Sequence, residues 1–339
     1  MKKKLLAIAL STILTCTTFA GFSAQGSAAT TPKTLDKVTL QLSWLPQSEF
    51  MGFYVADKKG YYKDAGIQIN ILPGGSNIIP EQQVSAGIAD VGVNLTSSLM
   101  QYQSKGWNLQ EISQLFQKSA MLFVSKKAAG IKSIKNLKGK KIGCWFGGNE
   151  YDLYALLTKA KLDRNKDVTL VQQDFTMDQF TSGKIDVAQA MSYNEYGLLL
   201  ESGYKKTDLN VISVENEGVA MLEDCMFANT TWASKHSDLL VRFLKASLKG
   251  WKDACKDPAA AGKIVYNKDK SVSLKHQIYM AQEVAKLVTP NGFSSAKIGY
   301  MDPKALKRTS DLAVKYGLLK KPANLAKCIN NTYWKKAIS

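Results

Sequence analysis

Residues 38–72 read VTLQLSWLPQSEFMGFYVADKKGYYKDAGIQINIL, and the fold class follows from them. Val38-Thr39-Leu40-Gln41-Leu42 alternates apolar with polar, the period of a strand with one face on a core. A loop through Pro46 leads to an amphipathic helix over about Glu49 to Lys59. Tyr61 to Gly66 then turns into a second strand, Ile67 to Leu72, which stops at Pro73-Gly74-Gly75. Strand, helix and strand joined by short turns predict a βαβ unit and parallel pairing.

Outward from this unit the pattern recurs. A helix over Pro80 to Ala86, a strand over Asp90 to Asn94 and a helix over Ser97 to Ser104 extend the first block. A second block holds strands at Lys141 to Phe146, Val168 to Gln172, Ile185 to Met191 and Leu209 to Val214. Helices are expected between them at Glu150 to Ala160, Met177 to Ser182 and Asn194 to Ser202. From about Leu239 the chain is mostly helical, with Leu239, Leu240, Phe243, Leu244, Leu248 and Trp251 on one stripe. The simplest architecture is α/β with two lobes, residues 30–125 plus 222–339 and residues 126–221. The chain is expected to cross at Phe123 to Gly130 and return at Glu217 to Cys225. Two crossings make a hinge, and ligands of such sheets bind at the carboxyl ends of the strands.

The chain has 339 residues, 45% of them hydrophobic and only 8 proline, an ordinary globular composition. Lys2, Lys3 and Lys4 followed by apolar Leu5 to Leu14 and small residues ending Ser27-Ala28-Ala29 read as a secretory signal over residues 1–29. Ile13-Leu14-Thr15-Cys16 loosely resembles a lipobox, so lipidation at Cys16 is the alternative. Export to the periplasm or the outer face of the cytoplasmic membrane is the expectation. No stretch reaches the roughly 18 apolar residues of a membrane span, so any membrane contact is peripheral or through that lipid. Removing residues 1–29, with three lysines and no acid, lowers the net charge from +17 to +14. The lysines are dispersed in pairs near turns, as on a solvated surface, and export argues against nucleic acid.

Cys144, Cys225, Cys255 and Cys328 remain after the signal, none in C-x-x-C spacing, and no metal site is expected with only His236 and His276 beside them. An exported chain admits a disulfide, and Cys255 with Cys328 is the first pair to examine.

Four segments fall at strand ends facing the cleft. The first carries Trp44, Gln47 and Phe50 on a proline-stiffened loop, and the second is the polar cluster opening with Asn94. The third holds Trp145, then Gly147-Gly148, where backbone N–H groups can approach a ligand, then Asn149, Glu150 and Tyr151. The fourth is Tyr193, Asn194 and Glu195, and Asp224 lies at the return crossing. Trp44, Trp145 and Tyr193 suit the two faces of a flat heterocycle, whose ring nitrogens Asn and Glu would read. The same aromatics equally suit an inter-lobe core, and composition does not separate the two.

Trp44-Leu45-Pro46, Gly52-Phe53-Tyr54-Val55-Ala56, Gly60-Tyr61-Tyr62 and Gly66 resemble the opening of the thiamine-pyrimidine synthase-like (NMT/THI-like) family. Lys138-Gly139-Lys140-Lys141-Ile142-Gly143, Gly183-Lys184-Ile185-Asp186 and Arg242-Phe243-Leu244-Lys245-Ala246 continue the likeness. It implies the two-lobed type 2 periplasmic-binding-protein fold. The family holds suicide enzymes that build the thiamine pyrimidine, ABC-transporter binding proteins for pyrimidine precursors, and relatives that bind riboflavin. This chain departs from the enzymes at three places. Phe50 stands where they carry a sacrificed histidine, and Asn94 where they carry an imine-forming lysine. Glu223-Asp224-Cys225-Met226-Phe227 offers one thiol where they have a cysteine run. A phenyl ring donates no imidazole atoms and an amide forms no imine. The resemblance therefore implies the transport branch: no enzyme, no cofactor, and a vitamin precursor, an ABC permease and its ATPase as partners. A thiamine pyrimidine precursor is the expected ligand, with riboflavin the alternative.

Overall fold

The strands of the computed structural model, which describes residues 34–339 apart from 76 and 147, form two five-membered sheets. The expected signal over 1–29, Cys16 and Gly147 lie outside the described residues. In chain order the strands are β1 (Asp36–Gln41), β2 (Ile67–Leu72), β3 (Val91–Leu95), β4 (Leu109–Gln114) and β5 (Met121–Lys126). They continue with β6 (Lys141–Cys144), β7 (Thr169–Gln172), β8 (Val187–Met191), β9 (Leu209–Ser213) and β10 (Asp224–Asn229). β1 pairs in parallel with β2 and with β3, so the opening stretch is the βαβ unit its pattern implied.

The first sheet runs β2-β1-β3-β10-β4 and the second β7-β6-β8-β5-β9. Each contains one reversed strand: β10 is antiparallel to β3 and β4, and β5 to β8 and β9. These reversed strands are where the chain has changed sheets. The first crossing is residues 115–120, between β4 and β5, and the return is 214–223, between β9 and β10. This corrects the expected crossing at Phe123 to Gly130. Met121–Lys126 is a strand of the second sheet, with Phe123 in the core on one face and Val124 in the core on the other. A strand buried on both faces shows no alternation, and the lysine pair and Gly130 after it imitate a connector.

The crossings are sewn to each other. Gln114 Nε2 donates to the carbonyls of Phe116, Glu223 and Asp224 at 3.0, 2.9 and 3.1 Å, and the Glu223 carboxyl accepts from Ser119 Oγ and from the Ala120 amide. The first lobe buries the larger core, built around helix Ser237–Lys256, whose Leu240, Phe243, Leu244 and Trp251 face inward as the stripe predicted. No helix among the described residues is long and apolar enough to cross a membrane.

The four described cysteines are free, so the expected Cys255–Cys328 pair is not formed. Cys255 lies beside Thr289, whereas Cys328 lies near Glu111 of β4, and burial pushes both thiols up.

Helix Met51–Lys58 seats Gly52 directly on the Trp251 indole, where a Cβ would fall 2.1 Å from the ring. Trp251 is fully buried and Phe53 packs edge-on against it at 5.5 Å, which leaves no room to yield. Gly52→Ala is expected to destabilise the protein by about 1–3 kcal/mol through overpacking. Urea denaturation would show a lowered midpoint at unchanged slope, and an unchanged midpoint would contradict this packing.

Candidate functional site

The loops after β1, β3, β6, β7 and β8 converge on a cavity of about 510 Å³, within the range of small-molecule sites. The first lobe contributes Trp44, Gln47 and Glu49 from the loop after β1, and Asn94 from the end of β3. The second contributes Trp145, Asn149, Glu150 and Tyr151, the run from Gln172 to Phe175, and Tyr193, Asn194 and Glu195. Glu223 and Asp224, where the return crossing enters β10, also line it.

Of the residues singled out in the sequence, Trp44, Gln47, Asn94, Trp145, Asn149, Glu150, Tyr151, Tyr193, Asn194, Glu195 and Asp224 line this cavity. Phe50 does not: its ring is wholly buried in the first-lobe core, because the short helical turn Ser48–Phe50 points it inward. Gly148 is absent from the lining as well. Its amide donates to Glu150 Oε2 at 2.6 Å, so the N–H expected to meet a ligand is already committed. Its φ of +146° suits glycine, and the loop there approaches Ser98 of the opposite lobe.

The aromatic residues arrange themselves differently from a simple sandwich. Trp44 meets Phe175 across the cleft, with centroids 5.1 Å apart and planes at 48°. Tyr193 is buried edge-on against Phe116 at 5.9 Å. Phe175 was missed in the sequence, although Gln173-Asp174-Phe175 follows a strand just as the chosen segments do. It is 48% exposed, an apolar ring at the mouth of the cavity. Gln101 Nε2 donates to Tyr151 Oη at 3.1 Å, a second contact between the lobes.

The polar lining has a consistent polarity. Asn94 Nδ2 donates to Glu81 Oε2 at 2.9 Å, Gln47 Nε2 to Glu49 at 2.6 Å and Asn194 Nδ2 to Glu195 at 2.7 Å. Gln173 Nε2 donates to the Gln189 carbonyl at 2.7 Å. Each of these amides thus spends at least one N–H on the protein, and the acids of the lining add acceptors for a ligand. Two acceptors, Asn149 Oδ1 and Asp224 Oδ2, are buried without any partner. Six lining residues are acidic: Glu49, Glu150, Asp174, Glu195, Glu223 and Asp224. Among the described residues the lining holds no Lys, Arg or His. His276 stands just behind, with Nε2 3.0 Å from Asn194 Oδ1 and Nδ1 3.3 Å from Glu201, holding the Asn194 amide in place.

Burial dominates the titration of these acids. It raises Glu195 to about 7, against hydrogen bonds from the Met191 amide and Asn194 that lower it. Glu223 rises to about 8 and Asp224 to about 7 for the same reason, and Glu49 rises well above the carboxylate range through burial and then Asp224. Sequence reading missed Glu49 and Glu223. A signal existed for Glu49, an acid in an otherwise uncharged strand-end loop.

Residues 47–261 match the NMT1/THI5-like family. Riboflavin-binding protein RibY of Chloroflexus aurantiacus is 26% identical over 333 residues, covering 94% of this chain and 92% of that protein. The 4-amino-5-hydroxymethyl-2-methylpyrimidine phosphate synthase THI13 of Saccharomyces cerevisiae is also 26% identical, over 67% of this chain and 70% of its own. Among solved structures, the periplasmic aliphatic sulphonate binding protein SsuA of Escherichia coli superposes with a TM-score of 0.68 at 14% identity, covering 87% of this chain and 92% of that one. The last likeness establishes the periplasmic-binding-protein fold.

The raised acids fix the sign of a pH effect. Each holds its proton more tightly folded than unfolded, so its contribution to stability is full below about pH 4 and is lost as pH rises through 7 to 8. Calorimetry on the ligand-free protein should give a higher melting temperature at pH 5.5 than at pH 8, and Glu223→Gln should shrink the difference. A melting temperature that rises over this window would contradict the assignment.

Proposed function

The chain belongs to the NMT1/THI5-like family, and we propose that it is the exported solute-binding component of an ABC importer for a planar nitrogen heterocycle rich in hydrogen-bond donors. The ligand best suited is a thiamine pyrimidine precursor of the formylaminopyrimidine or hydroxymethylpyrimidine type. One observation carries this: the cavity offers acids and no described cation to its ligand, while Gln47, Asn94, Gln173 and Asn194 each spend an amide N–H on a protein oxygen. An aminopyrimidine brings an amino group with two donors, and hydrogen bonds to charged acceptors contribute about 1.5–3 kcal/mol each. A sulfonate or phosphate would meet buried carboxyls with no cation to offset them.

Trp44 and Phe175 then close over one face of the ring while Tyr193, Asn194 and Glu195 hold its edge. Capture closes the lobes about the two crossings, and the closed form presents both lobes to a permease. Three features favour binding over catalysis. Phe50 is sealed in the core. Asn94 is pinned to Glu81. The Cys225 thiol is fully buried, and that burial pushes it far from a reactive thiolate.

Riboflavin is the second reading, favoured by the likeness to RibY over nearly the whole chain. Its ring system presents mostly acceptors, which the acceptor-lined cavity serves less well.

A thermal-shift screen of formylaminopyrimidine, hydroxymethylpyrimidine, thiamine and riboflavin tests the assignment, since a ligand of the native state raises the melting temperature. The aminopyrimidines are expected to give the largest shift, and a shift with riboflavin alone would select the second reading. Trp44→Ala should weaken binding more than tenfold, a loss of about 1.4 kcal/mol or more. Wild-type affinity in that variant would remove Trp44 from the site.

A further inference from the structure

Glu49 and Asp224 both line the cavity, one on the loop after β1 and the other where the return crossing enters β10, and each acts on the other's titration. Both are at least nine-tenths buried. Glu49 Oε2 accepts from Gln47, whereas Asp224 Oδ2 has no donor at all. Two carboxylates have no hydrogen to share, so an ionised pair here would be two adjacent charges, one of them without a hydrogen bond. With a single proton the arrangement closes, because Glu49 then donates to Asp224. The titratable groups facing the pair are Glu195, Glu223 and Tyr193, and all of them oppose a second negative charge. No cationic side chain lines the cavity among the described residues. A net-basic protein has therefore built an acidic lining that none of the described lining residues neutralises.

We propose that the Glu49–Asp224 pair stores one proton in the empty site and passes it to a basic ring nitrogen of the incoming heterocycle, so that a neutral base is bound as its cation. This rests on the aminopyrimidine assignment above. In the transfer the O–H bond of Glu49 breaks and an N–H bond forms on the ligand. The pair goes from one negative charge to two and the ligand from zero to one positive charge, so no proton is exchanged with solvent. The new N–H supplies the donor that Asp224 Oδ2 lacks, and the ligand's charge offsets the carboxylates. The raised titration of Asp224, to about 7, agrees with a proton held near neutrality. A phosphorylated precursor gains nothing from this exchange, because its own anion remains. The site thereby selects basic nitrogen over mere flatness, and a flavin, with no ring nitrogen basic near neutrality, takes no proton.

The test uses the full chain and 4-amino-5-hydroxymethyl-2-methylpyrimidine at pH 8, where the free compound is largely uncharged. Ultraviolet difference spectra report its protonation, and calorimetry in two buffers of different ionisation heat reports protons exchanged with solvent. The expected result is a bound chromophore with the spectrum of the cation and a binding heat equal in both buffers. Glu49→Gln keeps the shape but has no proton to give, so its bound ligand should show the neutral spectrum and at least tenfold weaker affinity. Should that variant fail to fold, Asp224→Asn, which removes the partner that holds the proton on Glu49, should give the same neutral spectrum. A neutral spectrum in the wild-type complex overturns the transfer while leaving the transport assignment intact. Failure of this compound to bind overturns the aminopyrimidine assignment, and the transfer with it.

Discussion

Carboxyl groups buried at the point where the chain passes between its two sheets are the constraint on which the rest depends. Glu223 accepts from Ser119 and Ala120 of the outgoing crossing while belonging itself to the return. Asp224, the next residue, lines the cavity, and its carbonyl accepts from the Leu115 and Phe116 amides. The crossings and part of the cavity lining are thus the same few residues. Burying acids costs free energy unless they are protonated or hydrogen-bonded; hydrogen bonds hold Glu223 here, and burial raises its titration toward the protonated form. A ligand that relieves the remaining deficit also acts directly on the segments that join the two sheets.

This coupling explains how one fold serves different chemistries. The likeness to a sulphonate-binding protein extends over most of the chain at 14% identity, yet among the described residues this cavity carries acids and no cations. The overall fold is shared, whereas side chains at strand ends can change without disturbing the sheets.

How much was legible in the sequence follows from burial. β1 and β2 show a clear start and stop, and the stripe on Ser237–Lys256 shows a helix with one wet face. β4, an edge strand buried along its whole length yet mostly polar, and β5, in the interior of the second sheet, show no polar-apolar alternation and were unreadable. Misplacing the first crossing came directly from that. The site was legible where a strand-end loop carried an aromatic or amide, as at Trp44, Asn94 and Tyr193. Phe50 failed because a one-turn helix rotated it into the core, and Gly148 because Glu150 took its amide. Glu49 and Glu223 act through depth, and depth is a property of the fold that spacing along the chain does not carry.

The acids of this cavity favour a donor-bearing ring without negative charge. Calorimetric titration of hydroxymethylpyrimidine beside its phosphate ester, at one pH and low salt, tests it most directly. The buried acids predict tight binding of the alcohol and at least a hundredfold weaker binding of the ester, a difference of about 2.7 kcal/mol. Equal or tighter binding of the ester would contradict the account.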